Sequence, residues 1–272
     1  MRPLFSSTPR ISGRSQWVWL LVATLCLIMA WGLWRASWNQ DLLLAVHAAH
    51  MGPAALWIFI TQWGDAAVAL LLLLAVGRSS RRGSALALKG FLMGSVVSPM
   101  LKTWWSIPRP LAVLDVALLN PMGNPPGSAN SMPSGHALAA STLVCLILLM
   151  YPHILRRKAL LCVLILGGLV VAFSRVVVGA HWPADVLAGI GLGAWIAWLA
   201  LRLEWLWPWA PFLSTSKGHG VLLGLELVLA IYVVVTAPAE FAAQVAMGMA
   251  AALGLLSACT RYIELRNKGA LP

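Results

Sequence analysis

Charge is what this sequence has least of. Only 10% of its 272 residues are Asp, Glu, Lys or Arg, whereas a soluble domain carries about 25%. Set against a hydrophobic share of 60%, that shortage excludes an ordinary soluble globular protein. A small-x-small cleavage site is also missing. Arg2, Arg10 and Arg14 precede an apolar run, but the run ends in MAWGLWRASW and reads as an uncleaved first helix. Cysteine is scarce and carries no metal or redox pattern. Cys26, Cys145, Cys162 and Cys259 form no C-x-x-C pair, lie near no histidine at ligand spacing, and read as buried free thiols. No repeat and no linker divides the chain, so it reads as one membrane domain.

What the sequence has instead is apolar runs near the length of about 20 residues that a membrane span needs. Eight stand out, at 17–34, 54–77, 85–101, 136–152, 159–174, 184–201, 220–236 and 241–259, the third to fifth on the short side. Backbone in lipid must satisfy its own hydrogen bonds, so the predicted fold is all-α, a polytopic helical bundle. With the N-terminus inside, the inner side receives 14 basic residues and the outer side Arg35, Lys102, Arg109 and Arg175, with Lys89 inside the third run. This positive-inside bias explains most of the net charge of +11 without a nucleic-acid partner. Most of the 15 tryptophans fall where an aromatic belt belongs, and Trp104, Trp105 and Trp182 border the motifs below. Asp65, inside the second run, is a functional candidate that could meet a headgroup or pair with Lys89. Glu226, nearer the inner end of its run, reads as reaching the interface.

Two outer segments break the apolar pattern. Residues 35–53 could form a short interfacial helix, with His47 and His50 on a wet surface. Residues 102–135 hold five prolines before Pro133, and a loop of that length is usually functional or disordered. This loop and 174–183 carry three of the four outer cations, on the side that should be depleted of them, so an anion is expected there.

Three short patterns carry chemistry. In the first, Lys102 and Arg109-Pro110 supply two cations that suit phosphate oxygens or, more blandly, lipid headgroups. In the second, Pro133-Ser134-Gly135-His136 opens a helix whose first N–H groups could hold an anion, with His136 able to offer a proton; its bland form is an N-cap at Ser134. In the third, Ser174-Arg175 is followed by His181 and Asp185, with Pro183 suited to a first helical turn. Asp185 then lies one turn beyond His181, where it can fix the tautomer and raise the nucleophilicity of the other ring nitrogen, or form a structural hydrogen bond. The three patterns fix eleven positions in order on one predicted face.

On these residues the sequence resembles the type 2 phosphatidic acid phosphatase superfamily, integral-membrane lipid phosphatases, over about residues 54–201. The resemblance implies a six-helix core with two further C-terminal helices. It divides the chain into 1–53 (tail, first helix and outer segment), 54–201 (core) and 202–272 (two added helices and a basic tail). It also implies that His181 attacks phosphorus, Asp185 orients it, and His136 protonates the leaving oxygen and then activates water. Lys102, Arg109, Ser134, Gly135 and Arg175 would bind the phosphoryl oxygens. Three cations can stand in for a metal, so no metal and no cofactor is expected. Two histidines in different protonation states predict a bell-shaped pH profile.

The expected function is hydrolysis of a phosphate or diphosphate on a bilayer lipid such as undecaprenyl diphosphate, phosphatidic acid, phosphatidylglycerophosphate or lipid A. The expected location is a bacterial inner membrane, with the site on the periplasmic face and both termini cytoplasmic. A phosphotransferase on the same fold is one alternative. A transporter or flippase is another, but it would need polar midplane groups or repeats, and only Asp65 qualifies. Nothing in the sequence sets an oligomeric state.

Overall fold

A computed structural model of the chain describes residues 13–49, 51–80, 82–123 and 130–267, and all regular structure among them is helical. His50, Arg81, Lys268, Arg2 and Arg10 lie outside the described residues. In chain order the α-helices are α1 Gly13–Arg35, α2 Trp38–Ala48, α3 Ala54–Gln62, α4 Ala66–Gly77, α5 Gly83–Trp105, α6 Pro110–Val113, α7 Val116–Leu119 and α8 Gly135–Met150. After a 3-10 turn at Pro152–Arg156 come α9 Lys158–Val177, α10 Pro183–Leu206, α11 Ala210–Leu213, α12 Ser216–Val235 and α13 Phe241–Asn267.

All eight apolar runs are helical, but they are not equal as spans. Six helices are long and apolar enough to cross a membrane, and α3–α4 make a seventh crossing if the pair, bent by 58°, is counted as one. The bend has a local cause. Asp65 ends the irregular Trp63–Gly64 step and caps α4, its Oδ1 accepting from Ala67 N at 2.8 Å and Val68 N at 3.2 Å. Helix α8 has 16 residues, about 24 Å of rise against a hydrocarbon core of about 30 Å. Alone it is too short to cross from edge to edge.

Helices α8 and α10 cross closely because α10 offers no side chain at the crossing. A Cβ at Gly189 would stand 2.5 Å from Ser134 O, and one at Gly193 2.5 Å from Leu138 O. Small residues are the usual means of helix contact in lipid, where no hydrophobic force draws helices together. The gap closes with Ser141 Oγ donating to Ile190 O at 2.8 Å and Thr142 Oγ1 to Gly193 O at 3.2 Å. Helix α1 packs along α10, and one apolar core runs from Leu70 and Leu74 of α4 through Leu146 and Ala197 to Val233 and Ala250, so α12 and α13 share it.

Several expectations change here. Lys89 does not meet Asp65. Its ammonium is buried at the other end of α5, donating to the Glu204 carboxylate and to the carbonyls of Leu203 and Trp207. Glu226 does not reach the interface either. It is fully buried, taking Arg261 Nε at 3.1 Å, Arg261 Nη2 at 2.9 Å and Ser257 Oγ at 3.0 Å between α12 and α13. Unpaired carboxylates are costly in such surroundings, and both of these are fully hydrogen-bonded. All four cysteines are free, but Cys162 and Cys259 are exposed on apolar helix surfaces and the other two only partly buried, because a lipid-facing thiol needs no burial in protein.

Candidate active site

Four helix ends meet on one side of the bundle: the C-termini of α5 and α9 and the N-termini of α8 and α10. Every residue picked out in the three sequence motifs lies on or between them. Lys102 sits half-buried in the last turn of α5, which stops at Ser106 in the left-handed conformation. The chain then runs extended to Arg109, with Pro110 opening α6. Arg109 is buried and donates through Nη1 to Ala180 O at 2.9 Å, with His181 Nε2 at 3.3 Å from the same nitrogen.

An arginine has only donors, so Nε2 is the accepting nitrogen of His181 and Nδ1 carries the proton. Nδ1 lies 3.2 Å from Asp185 Oδ2 and donates to it. That carboxylate oxygen is held further by Trp182 N at 2.9 Å and by the Ser131 hydroxyl, whose Oγ is also 3.3 Å from His181 Nδ1. His181 is 2% exposed and Asp185 0%. Burial foremost, then the charges of Arg175, Arg109 and Lys102 and the neighbouring His136, hold the His181 imidazole well below its ordinary 6.5. The imidazole is therefore neutral, its Nδ1–H towards Asp185 and its free lone pair aimed at a guanidinium.

Ser134 caps α8, its Oγ accepting from Ala137 N at 3.4 Å, and its own N–H donates to Asp185 O at 3.0 Å. The second motif is thus tied directly to the third. Gly135 and His136 form the first turn of α8. His136 can sit where it does because of Gly64 in the α3–α4 bend, where a Cβ would stand 2.9 Å from His136 Cβ. Arg175, buried in the last turn of α9, donates from Nη1 to Thr61 Oγ1, while its buried Nε has no partner among the described residues. Arg175, Arg109, Lys102 and His136 thus all stand near enough to His181 to act on its ring. A cavity of about 310 Å³ leads away from His136 and Gly135 between α4, α5 and α8, past Gly94, Gly90 and Leu73, and its walls are mainly apolar.

Two neighbours differ from expectation. His47 is not on a wet surface; its Nε2 donates to Val176 O at 3.0 Å and ties α2 to the end of α9. Trp182 is buried rather than at a belt, with Nε1 donating to Pro108 O at 2.8 Å, whereas Trp104 is exposed. Ser131 and Thr61 hold the Asp–His pair and Arg175, and no sequence motif pointed to either of them. A hydroxyl in a Ser-rich loop, or one in an apolar helix, carries no signal until its partner is known.

Several known proteins resemble this chain. A family model described as the PAP2 superfamily matches residues 80–209, which include all eleven motif positions. An undecaprenyl-diphosphatase of Sulfolobus acidocaldarius is 28% identical over 70% of this chain and 93% of its own. An undecaprenyl-diphosphatase of Bacillus subtilis is also 28% identical, over 61% of this chain and 84% of its own. A lipid A 1-phosphatase of Rhizobium johnstonii is 38% identical over a quarter of each. The fold is that of a transmembrane PAP2-type phosphatidylglycerolphosphate phosphatase of Bacillus subtilis, with a TM-score of 0.55 at 21% identity over 70% of this chain and 98% of that one. Residues 80–209 of this chain thus match the PAP2 superfamily, and its apolar helices make it an integral membrane protein similar to membrane phosphatases.

Proposed function

We propose that the chain hydrolyses a phosphate ester or diphosphate of a membrane lipid through a phosphohistidine on His181, without a metal. One observation carries this reading: Nε2 of a neutral, Asp185-held imidazole faces the Arg109 guanidinium at 3.3 Å, with Arg175 and Lys102 near enough to act on the same ring. An incoming phosphoryl group draws Arg109 from Nε2 onto its own oxygens and so frees the nucleophile. Nε2 then attacks phosphorus in line, the bond from phosphorus to the lipid oxygen breaks, and His136 gives that oxygen its proton. In the second half His136 takes a proton from water, the water oxygen bonds to phosphorus, and the N–P bond breaks to return free His181 and phosphate. The three cations, with the Gly135 N–H and Ser134 at the head of α8, balance the charge that builds on the equatorial oxygens. Among the described residues no three His, Cys, Asp or Glu side chains gather as metal donors, which supports a cationic rather than metal cradle.

The apolar cavity beside His136 suits a lipid tail lying between α4, α5 and α8 while its phosphate stays at the helix ends. The relatives named undecaprenyl-diphosphatase put undecaprenyl diphosphate first among substrates to try, followed by phosphatidic acid and phosphatidylglycerophosphate. The charge bias supports a site on the periplasmic side of an inner membrane with both termini cytoplasmic. The deciding experiment measures phosphate release by the purified protein in detergent with EDTA, from undecaprenyl diphosphate and phosphatidic acid, beside His181→Ala. Release by the wild type alone, with a phosphorylated histidine trapped by acid quench, is the expected result. Transfer to a lipid hydroxyl instead of water would make the protein a phosphotransferase, and equal release by the variant would end the His181 assignment.

A further inference from the structure

We infer that the C-terminal helix pair completes the active site: the turn between α12 and α13 walls a polar compartment that receives the hydroxyl-bearing part of a lipid headgroup. The inference rests on the phosphatase reading above and selects within its substrate class. A second cavity of about 300 Å³ lies beside His136 and Arg175, and five of its 14 lining residues come from the two added helices and the turn between them. Tyr232 from the end of α12, with Thr236 and Glu240 from the turn that follows, face Gln62 across it.

The placement of Glu240 is specific. A Cβ on Gly123, in the loop between α7 and α8, would stand 3.2 Å from Glu240 Oε1 and 3.4 Å from Ile58. The carboxylate therefore reaches from the added helices to the loop that leads into the site. The pair is not a loose appendage, since α13 packs along α3 and α4 and its Ala250 and Met247 belong to the same core as Leu71 and Leu146.

Chemistry chooses the occupant. His136 lines both cavities, so the oxygen it protonates sits between an apolar passage and this polar one. The apolar passage suits the tail. The polar one offers hydroxyl, amide and phenol groups with two carboxylates, Glu240 and Asp65, while the cation that also lines it, Arg175, is the one proposed to hold the transferred phosphoryl group. Such a lining accepts hydrogen bonds from a polyol or an amine and repels a second phosphate. Within the proposed class, this ranks a phosphate ester on a hydroxylated headgroup above a lipid diphosphate.

The test compares kcat/KM for phosphatidylglycerophosphate and for undecaprenyl diphosphate in the full-length wild type, Glu240→Gln, Glu240→Asp and Thr236→Val, each checked for an unchanged gel-filtration profile. The wild type should favour the glycerol-bearing ester. Glu240→Gln should shift the ratio towards the diphosphate by about five- to tenfold, the effect of removing one nearby unit charge from a half-wet site, while Glu240→Asp keeps the wild-type preference. Thr236→Val should raise KM for the ester alone. Ratios within about twofold of wild type in both Glu240→Gln and Thr236→Val would overturn the compartment and leave the phosphatase standing. Absence of release from either lipid by the wild type would sink both readings together.

Discussion

With Nδ1 of His181 donating to Asp185 at 3.2 Å, the nucleophilic lone pair is committed to Nε2, and the carboxylate also steadies the positive charge that the ring acquires on attack. Asp185→Asn can present its amide N–H to the same nitrogen and favour the wrong tautomer. Its kcat should fall about a thousandfold with KM nearly unchanged, as expected for a group that acts on the attacking ring and not on bound lipid. Ser131→Ala removes one of three donors to Asp185 Oδ2 and should cost about three- to tenfold in kcat. A larger loss for Ser131→Ala than for Asp185→Asn would reverse the assigned roles. The acidity of His181 makes a separate prediction. Its folded pKa lies below the ordinary 6.5, so it stays neutral and nucleophilic in mild acid. The acid limb of kcat/KM should lie below about 6.5. The unfolded chain binds more protons at His181 between the two values, so this contribution to stability is complete above 6.5 and is lost as pH falls towards the folded pKa. An acid limb centred above pH 7 would contradict the buried, cation-flanked imidazole.

At the level of helices, catalysis depends on how α8 is set against α10. The backbone of Ser134 bonds to Asp185 O, and the crossing just below is made at Gly189 and Gly193. Gly189→Ala puts a methyl group 2.5 Å from Ser134 O, so the helices must separate. Melting in detergent should drop by the equivalent of about 1–3 kcal/mol, and activity should fall further than stability does because the two motifs part. Gly224, with open space around it on α12, is the control; Gly224→Ala should leave both unchanged. The buried Lys89–Glu204 pair joins α5 to α10 at the far end. Lys89→Met strands the carboxylate with only the N–H groups of Trp209 and Ala210 and should destabilise by about 3–5 kcal/mol, while adding Glu204→Gln should restore much of the loss. These pairings also mark where the sequence stopped being legible. Apolar runs, helix starts at Pro and Ser, and three spaced motifs were readable because each is local to the chain. Which way a helix is turned about its axis is not local. Lys89 therefore looked as available to Asp65 as to Glu204, 115 residues away, and Glu226 looked bound for the interface because its partner Arg261 lies on the next helix.

The molecule as a whole is electrically lopsided in the expected topology, and on that topology the proposed chemistry falls on the outer face. Fourteen basic residues gather at one side of the expected topology, and the helix ends that carry His136, Arg175, His181 and Asp185 lie at the other. Cations are normally excluded from that side, and Lys102, Arg109 and Arg175 stand there near enough to His181 to act on its ring. The turn at Thr236, between the two added helices, opens at the same end, since it lines a cavity with His136 and Arg175. One label can therefore report the face of the site without touching the proposed catalytic groups. In a variant whose four cysteines are replaced by serine or alanine, Thr236→Cys should react with a membrane-impermeant maleimide added to intact cells stripped of their outer wall. A cysteine at Leu155, in the exposed 3-10 turn between α8 and α9, should react only after the membrane is opened. The reverse pattern would turn the bundle over and require the lipid phosphate to be delivered from the cytoplasm. Labelling of both in intact cells would mean that the chain inserts in two orientations, and the basic asymmetry would then be too weak to act as the orienting signal.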